Sequence, residues 1–139
     1  MRECITGRAR VLARAATQFM ERELSGSLLT FPQLSLMVGI AAADDDRIGA
    51  LAQELGLDQS TMSRNLRVLE TQGLVEIAAI SPDLRKRSVW LTERGALLLE
   101  AAMPAWRRGQ AALATSIDPR AIERMIGAAW KLQRLQSEG

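Results

Sequence analysis

Residues 47–94 read RIGALAQELGLDQSTMSRNLRVLETQGLVEIAAISPDLRKRSVWLTER. Their apolar spacing decides the fold. Ile48, Leu51, Ala52 and Leu55 fall on one face of a short helix. Gly56-Leu57-Asp58 then makes a turn, and Asp58 is placed to cap a second helix over 59–72. On that helix Met62, Leu66 and Leu69 share one face, leaving Ser60, Thr61, Ser63, Arg64, Asn65 and Arg67 mostly elsewhere. Two short helices joined by a glycine-containing turn, the second polar and basic outside, follow the plan of a helix-turn-helix. Beyond Gly73 come two β-prone runs, Leu74-Val75-Glu76-Ile77 and Ser88-Val89-Trp90-Leu91. Ser81-Pro82-Asp83-Leu84-Arg85-Lys86-Arg87 joins them as a hairpin with a basic tip. The unit reads as a winged helix-turn-helix built to meet double-stranded DNA.

Outward from this unit the pattern is helical. Residues 3–25 read as one helix, with Ile5, Ala9, Leu12, Ala16 and Phe19 in a stripe and Gly26 at its end. Thr30 and Gln33 supply a capping box, with Pro32 in the first turn, for a helix running to about Gly39. Asp44-Asp45-Asp46 reads as a loop. After the wing, Thr92 starts a long helix carrying Leu97, Leu98, Leu99, Ala102 and Trp106, with a kink expected at Pro104. Asp118-Pro119 opens a last helix with Ile122, Met125, Ile126, Ala129 and Trp130 on one face, ending near residue 135. The expected fold is mainly α with a small β-hairpin wing, in the order α-α-α-α-β-β-α-α. One domain is expected over 1–139: a winged unit at 30–94, and terminal helices at 3–25 and 96–135 whose stripes call for a second copy of the chain. Readers of this plan are commonly two-fold dimers matched to palindromic sites.

Composition narrows the function. The 139 residues are 47% hydrophobic, ordinary for a globular chain. No run of about 18 apolar residues suggests a membrane span, and no membrane partner is expected. The arginine-interrupted start does not read as a secretory signal. A single cysteine, Cys4, excludes an internal disulfide framework and fits a reducing cytoplasm. Histidine and tyrosine are absent. With no Gly-rich phosphate loop either, no catalytic constellation, metal site or cofactor is expected. Net charge is only +2, but 16 of the 18 basic residues are arginine, and the pI is about 9.3. Placement matters more: residues 59–69 contain Arg64 and Arg67 and no acid, and residues 84–91 contain Arg85, Lys86 and Arg87 and no acid.

Four segments, in order and spacing, resemble the multiple-antibiotic-resistance regulator (MarR) family of bacterial transcription regulators. They are Leu29-Thr30-Phe31-Pro32-Gln33; Ile48-Gly49 with Leu51-Ala52 and Leu55-Gly56; Ser60-Thr61-Met62-Ser63-Arg64 with Leu66, Leu69-Glu70 and Gly73-Leu74-Val75; and Asp83-Leu84-Arg85 followed by Val89, Leu91 and Thr92. The resemblance covers about residues 5–135. It implies a homodimeric repressor or activator on a pseudo-palindromic operator, released in many members by a small molecule or an oxidised cysteine.

Within that frame Ser60, Thr61, Ser63, Arg64, Asn65 and Arg67 are expected on bases and phosphates of the major groove, Arg64 on guanine. Asp83 is expected to hold Arg85 as it enters the minor groove, with Lys86 and Arg87 on phosphates. A solvated helix face and a surface ion pair are the plainer readings. Peroxide-sensing relatives carry a cysteine near the start of the first helix, held by tyrosines that this chain lacks. Arg8 is the neighbour expected to lower the Cys4 pKa, and an inert terminal thiol is the plainer reading. Trp106 and Trp130 are read as dimer core before ligand pocket. A protein-binding winged helix without DNA affinity would be expected to lack Arg64 and Arg85, or to set acids beside them.

Overall fold

A computed structural model describes residues 4–78 and 86–138. Six helices and one hairpin follow the expected order: α1 (Ile5–Glu23), α2 (Phe31–Ala42), α3 (Ile48–Leu55), α4 (Gln59–Thr71), β1 (Val75–Ala78), β2 (Ser88–Leu91), α5 (Glu93–Ser116) and α6 (Pro119–Ser137). Caps set most of the starts. The Thr30 hydroxyl accepts from the Gln33 N–H, and the Gln33 side chain accepts from the Thr30 N–H at 3.0 Å, closing the expected box on α2. Asp58, Thr92 and Asp118 cap α4, α5 and α6 through their side chains.

The core gathers around α2, whose Leu34, Leu36, Met37 and Ile40 are all buried. A helix apolar on nearly every side must be enclosed, and this one is. Ile48 and Leu51 of α3, Met62, Leu66 and Leu69 of α4, and Leu74, Val75, Val89, Leu99 and Ala102 complete the cluster. Phe31 stacks on Trp106 with ring centroids 5.8 Å apart, so Trp106 packs within its own chain. The expected stop of α2 at Gly39 is corrected: the helix continues to Ala42. Gly39 serves close packing, because a Cβ there would meet both Leu55 methyls at 3.1 Å. On α1 the deeply buried residue is Met20, one position beyond the stripe read from sequence, and α1 packs mainly on α5. α5 runs through Pro104 as one helix.

The hairpin is antiparallel, pairing Val75 with Leu91, Glu76 with Trp90, Ile77 with Val89 and Ala78 with Ser88. β1 therefore starts one residue later than expected. Asp44-Asp45-Asp46 form the expected loop, and its end is tied to the hairpin. Val89 N–H donates to Asp46 O at 2.9 Å and Ile48 N–H to Arg87 O at 2.8 Å, so Arg47 bridges Ser88 on the far side of β2. That pairing covers an edge of the hairpin and ties the wing base to the start of α3.

α6 has no buried residue within the chain, and Met125, Ile126, Trp130, Leu132 and Leu135 all stand exposed. Among the described residues no helix is long and apolar enough to cross a membrane.

Candidate nucleic-acid interface

The turn between α3 and α4 is built from two local devices. Gly56 sits at φ 66°, the left-handed region where a side chain is strained, and ends α3 as its N–H bonds Gln53 O. Leu57 N–H then reaches Ala52 O at 2.9 Å, and Asp58 opens α4. α4 is pinned from inside by Met62, Leu66 and Leu69, each at most 1% exposed. That pinning settles which edge faces out. Ser60, Arg64 and Arg67 are exposed; Thr61, Ser63 and Asn65 are half-buried beside them. The spacing 60, 63, 64, 67 makes one polar stripe along the outer face. Gln59, Ser60, Ser63 and Arg64 line a shallow concavity at its start. Gln59 was not among the expected contacts.

Asp58 organises this end of the helix. Its Oδ1 accepts the Thr61 N–H at 2.8 Å and the Ser60 hydroxyl at 2.9 Å. The Thr61 N–H, then the Ser60 and Thr61 hydroxyls, hold the carboxyl below its ordinary pKa, with a smaller contribution from the Arg64 charge. Arg64 Nη2 lies 3.5 Å from Thr61 Oγ1, which accepts from it.

The wing is described only at its base. Lys86 is exposed and Arg87 half-buried; Asp83 and Arg85 lie outside the described residues. Trp90 Nε1 donates to Glu76 Oε2 across the strands at 3.1 Å. Beside the wing base, Arg47 and Asp45 form an exposed ion pair at 2.5 Å. The Arg47 guanidinium holds the Asp45 carboxyl down to about 2.

A MarR family model matches residues 29–86. The transcriptional regulator HosA of Escherichia coli O157:H7 is 36% identical over 76 residues, 55% of this chain and 56% of HosA, so that match spans about half of the relative's length. HosA of Escherichia coli O111:H- is 31% identical over 99 residues, 71% of this chain and 67% of the relative. The crystal structure of the M. tuberculosis transcriptional regulator MosR in complex with DNA is 30% identical with a TM-score of 0.82, covering 96% of this chain and 98% of MosR. The chain belongs to the MarR family.

This MarR-family chain thus carries the winged-helix fold. Cys4 is the remaining candidate residue, and it is exposed. It is the N-cap of α1: Gly7 N–H donates to its sulfur at 3.3 Å, and Thr6 Oγ1 lies 3.3 Å away. The Thr6 hydroxyl first, then the Gly7 N–H, lowers the thiol pKa. Arg8, expected in that role from sequence, is not among the groups that lower it; the hydroxyl and amide of the first turn do so. Among the described residues no group of His, Cys, Asp or Glu is arranged to hold a metal ion.

Proposed function

We propose that this MarR-family regulator acts as a homodimer on a pseudo-palindromic operator, with α4 in the major groove and the wing, residues 80–88, in the minor groove. Ser60, Thr61, Ser63, Arg64, Asn65 and Arg67 meet bases and phosphates. Arg85, held by Asp83, enters the minor groove, and Lys86 and Arg87 meet phosphates. The observation that carries this is the division of α4: its apolar edge is fully buried, so its Ser60–Ser63–Arg64–Arg67 edge is presented as a rigid polar ridge. MosR, 30% identical over nearly the whole chain, is known in complex with DNA.

Dimerisation is assigned to the terminal helices, residues 3–25 and 96–135, flanking the winged unit at 30–94. α6 has no fully buried residue within its own chain while exposing Ile126, Trp130, Leu132 and Leu135, and a face of that kind calls for a partner. Release is assigned to a small effector in the cleft lined by Glu23, Leu28, Leu98, Pro104 and Arg108, between the α1–α2 connection and α5. Such an effector works only by preferring the conformation that does not bind DNA. A second reading of release is oxidation of Cys4 by an organic hydroperoxide, giving a sulfenic acid and the corresponding alcohol; its exposed, acidified thiol favours this.

Selection of duplexes from a random pool by the purified protein tests the central claim. The expected product is an inverted repeat whose binding weakens steeply with salt. Binding without sequence preference overturns it.

A further inference from the structure

The Asp58–Ser60 bond has a consequence for what the recognition helix can read. This inference rests on the placement of α4 in the major groove proposed above. A serine hydroxyl has one proton and two lone pairs. Here the proton is committed to the Asp58 carboxylate at 2.9 Å, a charge-assisted bond stronger than one to a neutral acceptor. Ser60 is exposed, so what it offers outward is lone pairs alone. The same carboxylate occupies the Thr61 N–H at 2.8 Å and sets a negative charge at the helix start. A helix N-terminus attracts phosphate; here the Asp58 carboxylate already takes the Thr61 N–H. One turn on, Arg64 offers only donors. The outer face therefore carries an acceptor at 60 and a donor at 64.

We propose that Asp58 sets the hydrogen-bond polarity of the recognition helix, making Ser60 an obligatory acceptor that reads an exocyclic amino group, adenine N6 or cytosine N4. Ser60 then does not read a phosphate oxygen, a purine N7 or a base carbonyl. Asp58 is a positioning residue acting through Ser60.

The test uses the full chain and the duplex it selects from a random pool. Each base pair of one half-site is altered in turn, and wild type and Ser60→Ala are titrated at fixed salt. Methylation of adenine N6 or cytosine N4 replaces the hydrogen that faces the major groove; 7-deazapurine removes N7; methylphosphonate removes the phosphate charge. The expected result is one pair where N-methylation weakens wild type about fivefold to a hundredfold and leaves Ser60→Ala unchanged. At that pair 7-deazapurine and flanking methylphosphonates should not separate the two proteins. In Asp58→Ala, with helix content checked by circular dichroism, the N-methyl penalty should shrink because the Ser60 proton is released. If Asp58→Ala fails to fold, the Ser60 comparison alone decides. Separation of the two proteins by 7-deazapurine or methylphosphonate overturns the inference, as does a uniform or absent effect of Ser60→Ala. In those cases sequence selection by wild type still stands. Absence of any selected sequence overturns the DNA-reading function and this inference with it.

Discussion

Gly95, in the first turn of α5, lies directly against the main-chain carbonyl of Leu74, so closely that a Cβ on residue 95 would overlap the Leu74 oxygen. Thr92 holds the two segments together. Its hydroxyl donates to Gly73 O at 2.6 Å and accepts the Gly95 N–H at 3.0 Å, while its own N–H reaches Leu74 O at 3.1 Å. This is where the end of α4, the hairpin and the long helix α5 are locked in one geometry. Gly95→Ala gains about 1 kcal/mol of helix propensity but forces main chain apart. A net loss of about 1–3 kcal/mol is expected, as for overpacked sites. Urea denaturation of the variant measures it, and an unchanged midpoint would show that the contact yields freely.

Arg64 stands exposed on the outer edge of α4 with its guanidinium near Thr61. Arg64→Ala is expected to cost about 1–3 kcal/mol per half-site and to relax preference at one base pair. Arg67→Ala should instead weaken binding similarly on all sequences and lower the salt slope by about one. Titrations against selected and scrambled duplexes at several salt concentrations separate the two effects.

Removal of residues 119–139 should dissociate or aggregate the protein. It deletes the exposed apolar face of α6, where Ile126 is 51% and Trp130 62% accessible in the single chain. Sedimentation of intact and truncated protein at micromolar concentration reads this directly; a well-folded monomer for the intact chain would remove dimerisation from α6.

Asp45 should give a pH signature. Its folded pKa, about 2, lies below the ordinary 3.8, chiefly through the Arg47 hydrogen bond. A carboxylate depressed on folding adds stability that is complete above about 3.8 and is lost as pH falls toward about 2. NMR titration of the carboxyls in the native protein should place Asp45 near the lower value, and Arg47→Gln should return it toward the upper one.

Cys4 is expected to react with iodoacetamide at a lower pH than an ordinary thiol, because the Thr6 hydroxyl and then the Gly7 N–H lower its pKa. Thr6→Val removes the largest contribution and should shift the rate profile upward. For DNA release the expected outcome is that Cys4→Ser responds to effector as wild type does. If peroxide frees wild type from its selected duplex at stoichiometric dose and leaves Cys4→Ser bound, the thiol is the switch.

Local chemistry made much of this protein legible without its structure. Thr30, Asp58 and Thr92 cap the helices they were expected to start, since a cap bonds a main-chain N–H only a few residues on. Met62, Leu66 and Leu69 turn inward as their spacing requires, which assigns the outer edge of α4 with no knowledge of its neighbours. Long-range packing decided the rest. Gly56, in the turn at positive φ, supplies conformational freedom, whereas Gly39 and Gly95 supply absence of bulk inside helices; one residue type carries both meanings, and only the approach of Leu55 or Leu74 tells them apart. The bridge from Arg47 to Ser88 depends on segments distant in sequence, and nothing in the run of aspartates before it signals a strand. Met20 lies one turn beyond Ala16 on the apolar face of α1, and it alone of that helix is deeply buried because Gly109 of α5 leaves room for its sulfur. The direction of the Ser60 proton likewise follows from where the Asp58 carboxylate lies in the folded turn, because composition shows that a hydroxyl is present and only geometry shows whether it gives or receives.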